Sequence, residues 1–212
     1  GIKAFSKSME PVLLLGETGT GKESVAQTIH AQSRKGDRPF IKLNCLFRQK
    51  QAIQSQLFKR KDNKTQSTSG EKVVYLSNIE SLSKGLQEKL AEALQNTNLP
   101  DTSFEFLPIR LFASSSKNLD ELAAKGQFHQ SLLDAFKDTS LLIPPLRNHT
   151  ASISLIAKDY LEETRSHTFI PEIDEEFLTA LCGYSWPGNI KELHSVLGKL
   201  IQTCANQQSI SV

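Results

Sequence analysis

The sequence predicts an α/β fold in which a parallel five-stranded sheet, flanked by helices, precedes a smaller all-helical part. Short apolar runs alternate with helical patterns over roughly the first two thirds of the chain, which is the order that successive βα units produce. From about residue 150 only helical patterns remain. We therefore place a boundary near Pro144-Pro145 and expect an α/β domain over 1–145 and a helical domain over 146–212.

Five apolar runs are candidate strands. The first, 11–15, ends at Gly16 and has the composition of a buried parallel strand. The other strands are expected at 40–44, 73–76, 109–113 and 141–143, and helices at 22–34, 84–95, 119–136, 150–166, 173–183 and 188–205. Residues 59–72 contain no apolar side chain, so we expect a solvated loop there.

The composition excludes several classes of protein. Lysine plus arginine (25) nearly balances aspartate plus glutamate (23), which argues against a broad basic face that binds DNA. Three widely spaced cysteines, Cys45, Cys182 and Cys204, predict reduced thiols and neither a disulfide framework nor a zinc site. No apolar run approaches the ~20 residues that cross a bilayer. We expect a cytoplasmic protein that does not contact a membrane.

A glycine-rich loop separates the first predicted strand from the first predicted helix. The position between strand and helix is the one that a phosphate-binding P-loop requires. Its glycines let backbone N–H groups converge on phosphate oxygens, and its lysine can reach the β- and γ-phosphates as a point charge. The loop consists of Gly16, Glu17, Thr18, Gly19, Thr20, Gly21 and Lys22. Glu23 follows where the usual pattern has a Ser or Thr that binds Mg²⁺. The sequence therefore predicts ATP or ADP as a ligand and leaves Mg²⁺ open, and the alternative is a glycine-rich turn without a ligand.

Four segments, in matching order and spacing, resemble the AAA+ domain of the sigma-54-dependent enhancer-binding proteins, the NtrC-like family. They are GETGTGKE at 16–23, FIKLNC at 40–45, IPPLR at 143–147 and WPGNIKEL at 186–193. The resemblance covers nearly the whole chain and implies an AAA+ P-loop NTPase fold with a helical lid. Glutamate is usual in this family at the position of Glu23, so that residue is no departure.

The resemblance also implies partners. Members of the family self-associate as rings and use ATP hydrolysis to remodel RNA polymerase that carries sigma-54. They usually have an N-terminal sensory domain and bind DNA through a C-terminal helix-turn-helix domain, and neither lies within these 212 residues. Because the chain begins at Gly1 without a methionine and a strand follows almost at once, we expect an excised domain. The resemblance implies that this domain self-associates as a dimer or ring.

The sequence departs from the family where the family has an Asp-Glu pair after its third strand. Ser77 and Asn78 occupy these positions. Serine is at best a neutral metal ligand and asparagine cannot accept a proton from water, whereas phosphoryl transfer to water needs both functions. Glu80 lies beyond the expected strand end. An alternative role for Ser77 and Asn78 is to cap the following segment. The family's coupling residue is retained as Asn44, which we expect to have nothing left to hold opposite Asn78.

Three further positions lack the family's catalytic groups. The two arginines that the family supplies from a neighbouring subunit correspond to His129 and Ala135, and the water-orienting asparagine of its sensor corresponds to Ser116. An arginine finger contributes ~10³–10⁵ in rate and a general base ~10²–10⁴, so we expect little or no hydrolysis. His129 is more simply a surface helix residue. Lys191 replaces the lid arginine that contacts nucleotide, which keeps the charge but loses the forked geometry.

The family's GAFTGA loop, which contacts sigma-54, is absent. The corresponding segment contains a basic cluster that we expect to be solvated, although it could contact nucleic acid; it comprises Lys59, Arg60, Lys61 and Lys64. Family members without GAFTGA work with RNA polymerase carrying the housekeeping sigma factor, and some relatives bind cyclic di-GMP on this domain. Arg48, within Leu46-Phe47-Arg48-Gln49, could face such a ligand, although a helix start is the simpler interpretation.

Three hypotheses follow. The leading one is a nucleotide-binding regulatory and oligomerisation domain that is hydrolysis-deficient, independent of sigma-54 and responsive to ATP, ADP or cyclic di-GMP. The second is an active AAA+ ATPase that remodels sigma-54 RNA polymerase with unorthodox residues. The third is a scaffold with a vestigial P-loop. In each case we expect Trp186 to pack the turn before the last helix, which Asn189 begins.

Overall fold

The structure is a computed structural model, and it describes residues 5–6, 8–33, 36–47, 50–60, 72–95, 104–107, 109–165 and 175–209. The chain folds into two compact units. The first comprises 1–16 and 22–142, and the second comprises 17–21 and 143–212. The central residues of the glycine-rich loop therefore pack with the helical part of the chain, although both ends of the loop belong to the first unit.

The first unit is built on a five-stranded parallel sheet, which confirms the predicted fold class. Its strands are β1 (Val12–Leu15), β2 (Phe40–Asn44), β4 (Val73–Ser77), β6 (Arg110–Ser115) and β7 (Ser140–Leu142). The spatial order is β2-β4-β6-β1-β7. Leu14, Val74 and Phe112 are fully buried, as expected for central parallel strands that are covered on both faces.

A second, two-stranded sheet was not predicted. β3 (Phe58–Arg60) pairs antiparallel with β5 (Phe104–Phe106), and the rings of Phe58 and Phe106 meet edge to face with centroids 5.6 Å apart. The expectation of a loop from residue 59 is therefore wrong for Lys59 and Arg60, whose backbone belongs to this pair. The rest of that expected loop, up to residue 71, lies outside the described residues.

Helices cover the sheet and form the second unit. In the first unit they are α1 (Lys22–Ala31), α2 (Lys50–Leu57), α3 (Lys84–Leu94), α4 (Leu119–Ala124) and α5 (Gln130–Asp134), and in the second α6 (Thr150–Arg165), α7 (Glu175–Gly183) and α8 (Asn189–Ser209). One expected helix, 119–136, is two. Gly126 has a φ of 65° and its N–H donates to the carbonyl of Ala123 at 2.9 Å, so it ends the first helix as a left-handed glycine does.

Each unit has its own apolar core. In the first unit, side chains of the sheet pack against α3 and α5, with Leu76, Leu90 and Leu132 fully buried. In the second, α6, α7 and α8 share a core that includes Leu161, Leu197 and the 3% exposed Trp186. Among the described residues, no helix is both long and apolar enough to span a bilayer.

Two leucines on α6 provide a matched test of the second core. Leu161 is 2% exposed and Leu155 is 61% exposed. Leu161→Ala leaves a cavity and is expected to lower the free energy of unfolding by about 2–5 kcal/mol, whereas Leu155→Ala should change it by less than about 0.5 kcal/mol. Urea unfolding followed by the fluorescence of Trp186 measures both. Equal effects of the two substitutions would contradict this packing.

Candidate functional site

The glycine-rich loop has the backbone geometry of a phosphate-binding loop. It joins β1 to α1, with Gly19 at φ 83° and Gly21 at φ 85°, a left-handed region that glycine adopts without strain. The N–H of Gly16 donates to the carbonyl of Ser115 at 3.3 Å, which fixes the start of the loop to β6. Lys22 Nζ donates to the carbonyl of Gly16 at 2.7 Å. The ammonium group therefore lies along the loop, where it can act on a phosphate that the loop binds.

The loop is also held by residues of the second unit, with which its centre packs. The backbone N–H of Lys191 donates to the carbonyl of Gly19 at 3.3 Å. Asn189 is fully buried, and its Nδ2 donates to the carbonyl of Thr18 at 3.0 Å. Thr20 Oγ1 donates to the carbonyl of Glu17 at 2.9 Å and closes a turn within the loop. The sequence predicted a nucleotide contact from Lys191 because of its charge, but that side chain is exposed. The contact of Asn189 with the loop was not predicted. Its position in the WPGN segment was the signal that could have indicated it.

The positions after β4 carry an amide pair. Asn78 Nδ2 donates to Asn44 Oδ1 at 3.0 Å, and the same oxygen accepts from the N–H of Leu46 at 3.0 Å. The expectation that Asn44 has nothing to hold is therefore wrong. The capping prediction is also wrong for Asn78, because its side chain makes no cap hydrogen bond to the 3₁₀ turn Ile79–Ser81. Its φ of 56° is a conformation that asparagine tolerates better than most residues. Ser77 Oγ donates to the carbonyl of Leu43 at 3.5 Å.

The remaining predicted positions are dispersed. Ser116 is exposed. The neighbouring Ser115, and not Ser116, contacts the P-loop: its carbonyl accepts from the N–H of Gly16. Ser115 Oγ accepts from the N–H of Lys117 at 3.0 Å. His129 is half-buried and precedes α5, so its interpretation as a surface helix residue is wrong. Its N–H donates to Gln87 Oε1 at 2.8 Å. Ala135 directly follows α5 and offers no polar group.

The carboxylate of Glu23, near the start of α1, has two neighbouring side chains as partners. Glu23 forms an ion pair with Lys42 on β2 and accepts a hydrogen bond from Gln27 Nε2 at 3.4 Å, so its carboxylate is already engaged. Within the part of the chain that the structure describes, no group of three or more His, Cys, Asp or Glu side chains converges. The loop thus has the backbone and the lysine that fit the phosphates of a nucleotide.

The segment considered for cyclic di-GMP is only partly described. Leu46 and Phe47 belong to a 3₁₀ turn, Cys45–Phe47, and are 56% and 69% exposed. Arg48 and Gln49 lie outside the described residues, as do Lys61 and Lys64 of the basic cluster. The helix α2 begins at Lys50, close to the helix start that the sequence favoured.

Family comparisons cover both units. Residues 1–141 match the family described as the Sigma-54 interaction domain, and residues 147–212 match the AAA+ ATPase lid domain. The chain is 31% identical to the regulatory protein AtoC of Escherichia coli (strain K12), over 92% of this chain and 45% of that protein. It is 34% identical to the C4-dicarboxylate transport transcriptional regulatory protein DctD of Pseudomonas aeruginosa, over 87% of this chain and 43% of that protein. The chain thus spans less than half the length of these curated relatives.

Solved structures show the same fold. The chain is similar to NtrX from Brucella abortus in complex with ATP, with a TM-score of 0.79, 21% identity and coverage of 97% of this chain and 50% of that one. The ADP complex of the same protein gives a TM-score of 0.78 over 95% of this chain and 48% of that one, again at 21% identity. At this level of identity the similarity concerns the fold alone.

Cys45, at the end of β2, provides a chemical probe of this region. Burial, with a smaller contribution from the charge of Glu80, raises the pKa of its thiol to about 12. A thiol with an ordinary pKa of about 8.5 is half ionised at pH 8.5, but Cys45 keeps its proton there, and only the thiolate reacts with iodoacetamide. We expect Cys45 to remain unmodified at pH 8.5 in the folded chain and to react fully in urea. Peptide mass mapping measures this, with the partly exposed Cys182 as the internal comparison; rapid native labelling of Cys45 would show that its burial is wrong.

Proposed function

The chain belongs to the family of the Sigma-54 interaction domain, and we propose that it is a nucleotide-binding regulatory and oligomerisation domain of a bacterial transcription regulator that hydrolyses nucleotide poorly or not at all. The proposed domains are 1–145 for the α/β part and 146–212 for the lid. The observation that supports the proposal most directly is a contrast. The P-loop keeps its left-handed glycines and Lys22, whereas Ser77 and Asn78 stand where the family has acidic groups, and the Asn78 amide donates to Asn44.

The chemistry of binding needs only groups that the chain retains. Backbone N–H groups of Glu17–Gly21, just before α1, present partial positive charge to phosphate oxygens. Lys22 adds a full positive charge. The proposed nucleotide-binding residues are those of the loop, with Glu23 after it and Lys191 from α8. ATP or ADP is the proposed ligand, in keeping with the intact loop.

The chemistry of hydrolysis needs groups that the chain lacks at the family's positions. A water molecule that attacks the terminal phosphate must lose a proton, and an amide such as that of Asn78 cannot accept one. Ser77 offers a neutral hydroxyl where a carboxylate would bind Mg²⁺ most strongly. Neither His129 nor Ala135 can provide the planar, forked cation with which an arginine finger stabilises the transition state. Each loss alone lowers the rate by orders of magnitude.

The partners belong to the same proposal. The chain would self-associate as a dimer or ring and control RNA polymerase, with DNA bound by a helix-turn-helix domain outside these residues. We propose independence from sigma-54 because GAFTGA is absent from the segment after Phe58. Cyclic di-GMP is an alternative ligand, favoured by the combined loss of that loop and of the acidic pair. The alternative function is an active AAA+ ATPase that remodels sigma-54 RNA polymerase.

Substitution of Lys22 tests nucleotide binding at the P-loop. Lys22→Ala removes a charge-assisted contact to phosphate and is expected to weaken the binding of ATP and ADP about 10–100-fold. Lys84→Ala is the matched control, because Lys84 likewise begins a helix, α3, and is exposed. Calorimetric titration with ATP, ADP and cyclic di-GMP, preceded by mass spectrometry of nucleotide released from the purified chain, gives the affinities. No binding of any of the three would favour the scaffold with a vestigial P-loop.

Phosphate release tests the loss of hydrolysis. With saturating ATP and Mg²⁺, the assembled full-length protein is expected to turn over far more slowly than ~1 s⁻¹, the lower end for phosphoryl-transfer enzymes. The chain with Lys22→Ala provides the background rate. Magnesium-dependent turnover near ~1 s⁻¹ that disappears in Lys22→Ala would establish the alternative, an active ATPase.

A further inference from the structure

A carboxylate lies within the loop that binds phosphate. Glu17 is the second residue of the P-loop, and an anion there disfavours the arrival of phosphate by like-charge repulsion. The structure compensates for it with a guanidinium: Arg147 Nη1 donates to Glu17 Oε2 at 2.8 Å, and Arg147 Nη2 donates to Glu17 Oε1 at 2.5 Å. This forked geometry is the strongest pairing between these two side chains.

Asn189 joins the same network from a second direction. Its Nδ2 donates to Glu17 Oε2 at 3.2 Å and to the carbonyl of Thr18 at 3.0 Å, while its Oδ1 accepts from the N–H of Leu146 at 2.8 Å. One buried amide thus connects the P-loop to the residue that precedes Arg147. Only an amide offers donors and an acceptor in this arrangement, and only a few residue types tolerate its φ of 56°.

The turn that carries Asn189 is packed directly on the loop. A Cβ atom at Gly19 would lie 2.1 Å from the carbonyl oxygen of Gly188, so the two backbones can approach only because Gly19 has no side chain. The turn begins at Trp186, whose Nε1 donates to the carbonyl of Leu181 at 2.7 Å. Trp186 is the single tryptophan of the 212 residues. Any change in the loop that moves the turn therefore changes the surroundings of one fluorophore.

We propose that Glu17 is a positioning residue that couples phosphate occupancy of the P-loop to the lid turn 186–189, through its paired contacts with Arg147 and Asn189. Phosphate at the loop raises the cost of an unneutralised Glu17, so binding strengthens the Glu17–Arg147 pair. By thermodynamic reciprocity the intact pair strengthens binding. The signal requires no hydrolysis, which gives a regulator with a neutral Asn44–Asn78 pair a means of reporting bound nucleotide. This inference rests on the proposed nucleotide binding.

A double-mutant cycle tests the coupling. ATP affinity is measured by calorimetry for the wild-type chain, Glu17→Gln, Arg147→Gln and the double variant. Arg147→Gln removes the guanidinium that faces the Glu17 carboxylate and should weaken ATP binding about 10-fold, within the range found for residues in direct contact. Adding Glu17→Gln should restore the affinity to within about 3-fold of wild type, because the repulsive charge is gone. Arg147→Lys, which keeps the charge and loses the fork, should be intermediate and replaces Arg147→Gln if that variant does not fold.

A matched cycle controls for the removal of surface charge. Glu121 lies on α4 and Lys125 directly follows it. Their side chains form an exposed ion pair, with Lys125 Nζ 3.9 Å from Glu121 Oε2. The substitutions Glu121→Gln and Lys125→Gln change the net charge in the same way as the first cycle. They should leave ATP affinity within about 2-fold of wild type, as expected for a pair outside the network.

The fluorescence of Trp186 distinguishes coupling from a purely structural role of Glu17 and Arg147. Saturating ATP should shift or quench Trp186 emission in the wild-type chain, and the response should be smaller in Arg147→Gln at equal saturation. If ATP binds calorimetrically but Trp186 does not respond, or if the two substitutions act additively, the coupling is wrong and nucleotide binding stands. If no ATP binds to the wild-type chain, both the proposed function and the coupling fail.

Discussion

The second unit depends on one close approach between two stretches of backbone. Gly19 of the P-loop lies against Gly188 of the lid turn, where any Cβ would collide with a carbonyl oxygen. The buried amide of Asn189 hydrogen-bonds on both sides of this contact. It donates to Glu17 and to the carbonyl of Thr18 and accepts from the N–H of Leu146. A buried polar side chain with this many partners is costly to disturb. The centre of the phosphate-binding loop consequently takes its shape from residues far away in the sequence as well as from its own glycines.

The end of β4 shows how the chain accommodates neutral residues at positions that are acidic in the family. Asn44 and Asn78 face each other from adjacent strand ends and pair through their amides, so the strand register and the left-handed conformation of Asn78 are kept without a carboxylate. Asn44 and Asn78 are both half-buried, and their amide pair is neutral. This arrangement is compatible with the proposed function because binding of phosphate depends on the loop and on Lys22, and hydrolysis depends on the groups that are replaced.

Local sequence patterns predicted the five strands of the parallel sheet, each of which contains a short apolar run. The bounds of β2 agree with the prediction residue for residue, and those of β1, β4, β6 and β7 differ by no more than two residues at each end, because each strand contains a contiguous run of mostly apolar residues. The β3–β5 pair was missed since each strand has three residues and its partner lies more than forty positions away. The single helix expected over 119–136 was wrong because the left-handed Gly126 stops it, and helical periodicity on both sides concealed that break.

Sequence alone determined the parallel sheet, the place of the P-loop between β1 and α1, and the family to which the chain belongs, since each is written in contiguous residues. It also identified the neutral side chains Ser77 and Asn78. Only the tertiary structure decided the partners: Arg147 for Glu17, 130 positions apart, and Asn78 for Asn44, 34 positions apart. Such hydrogen bonds form where strand ends and turns converge, and that convergence is fixed by the packing within each unit, which no local periodicity encodes.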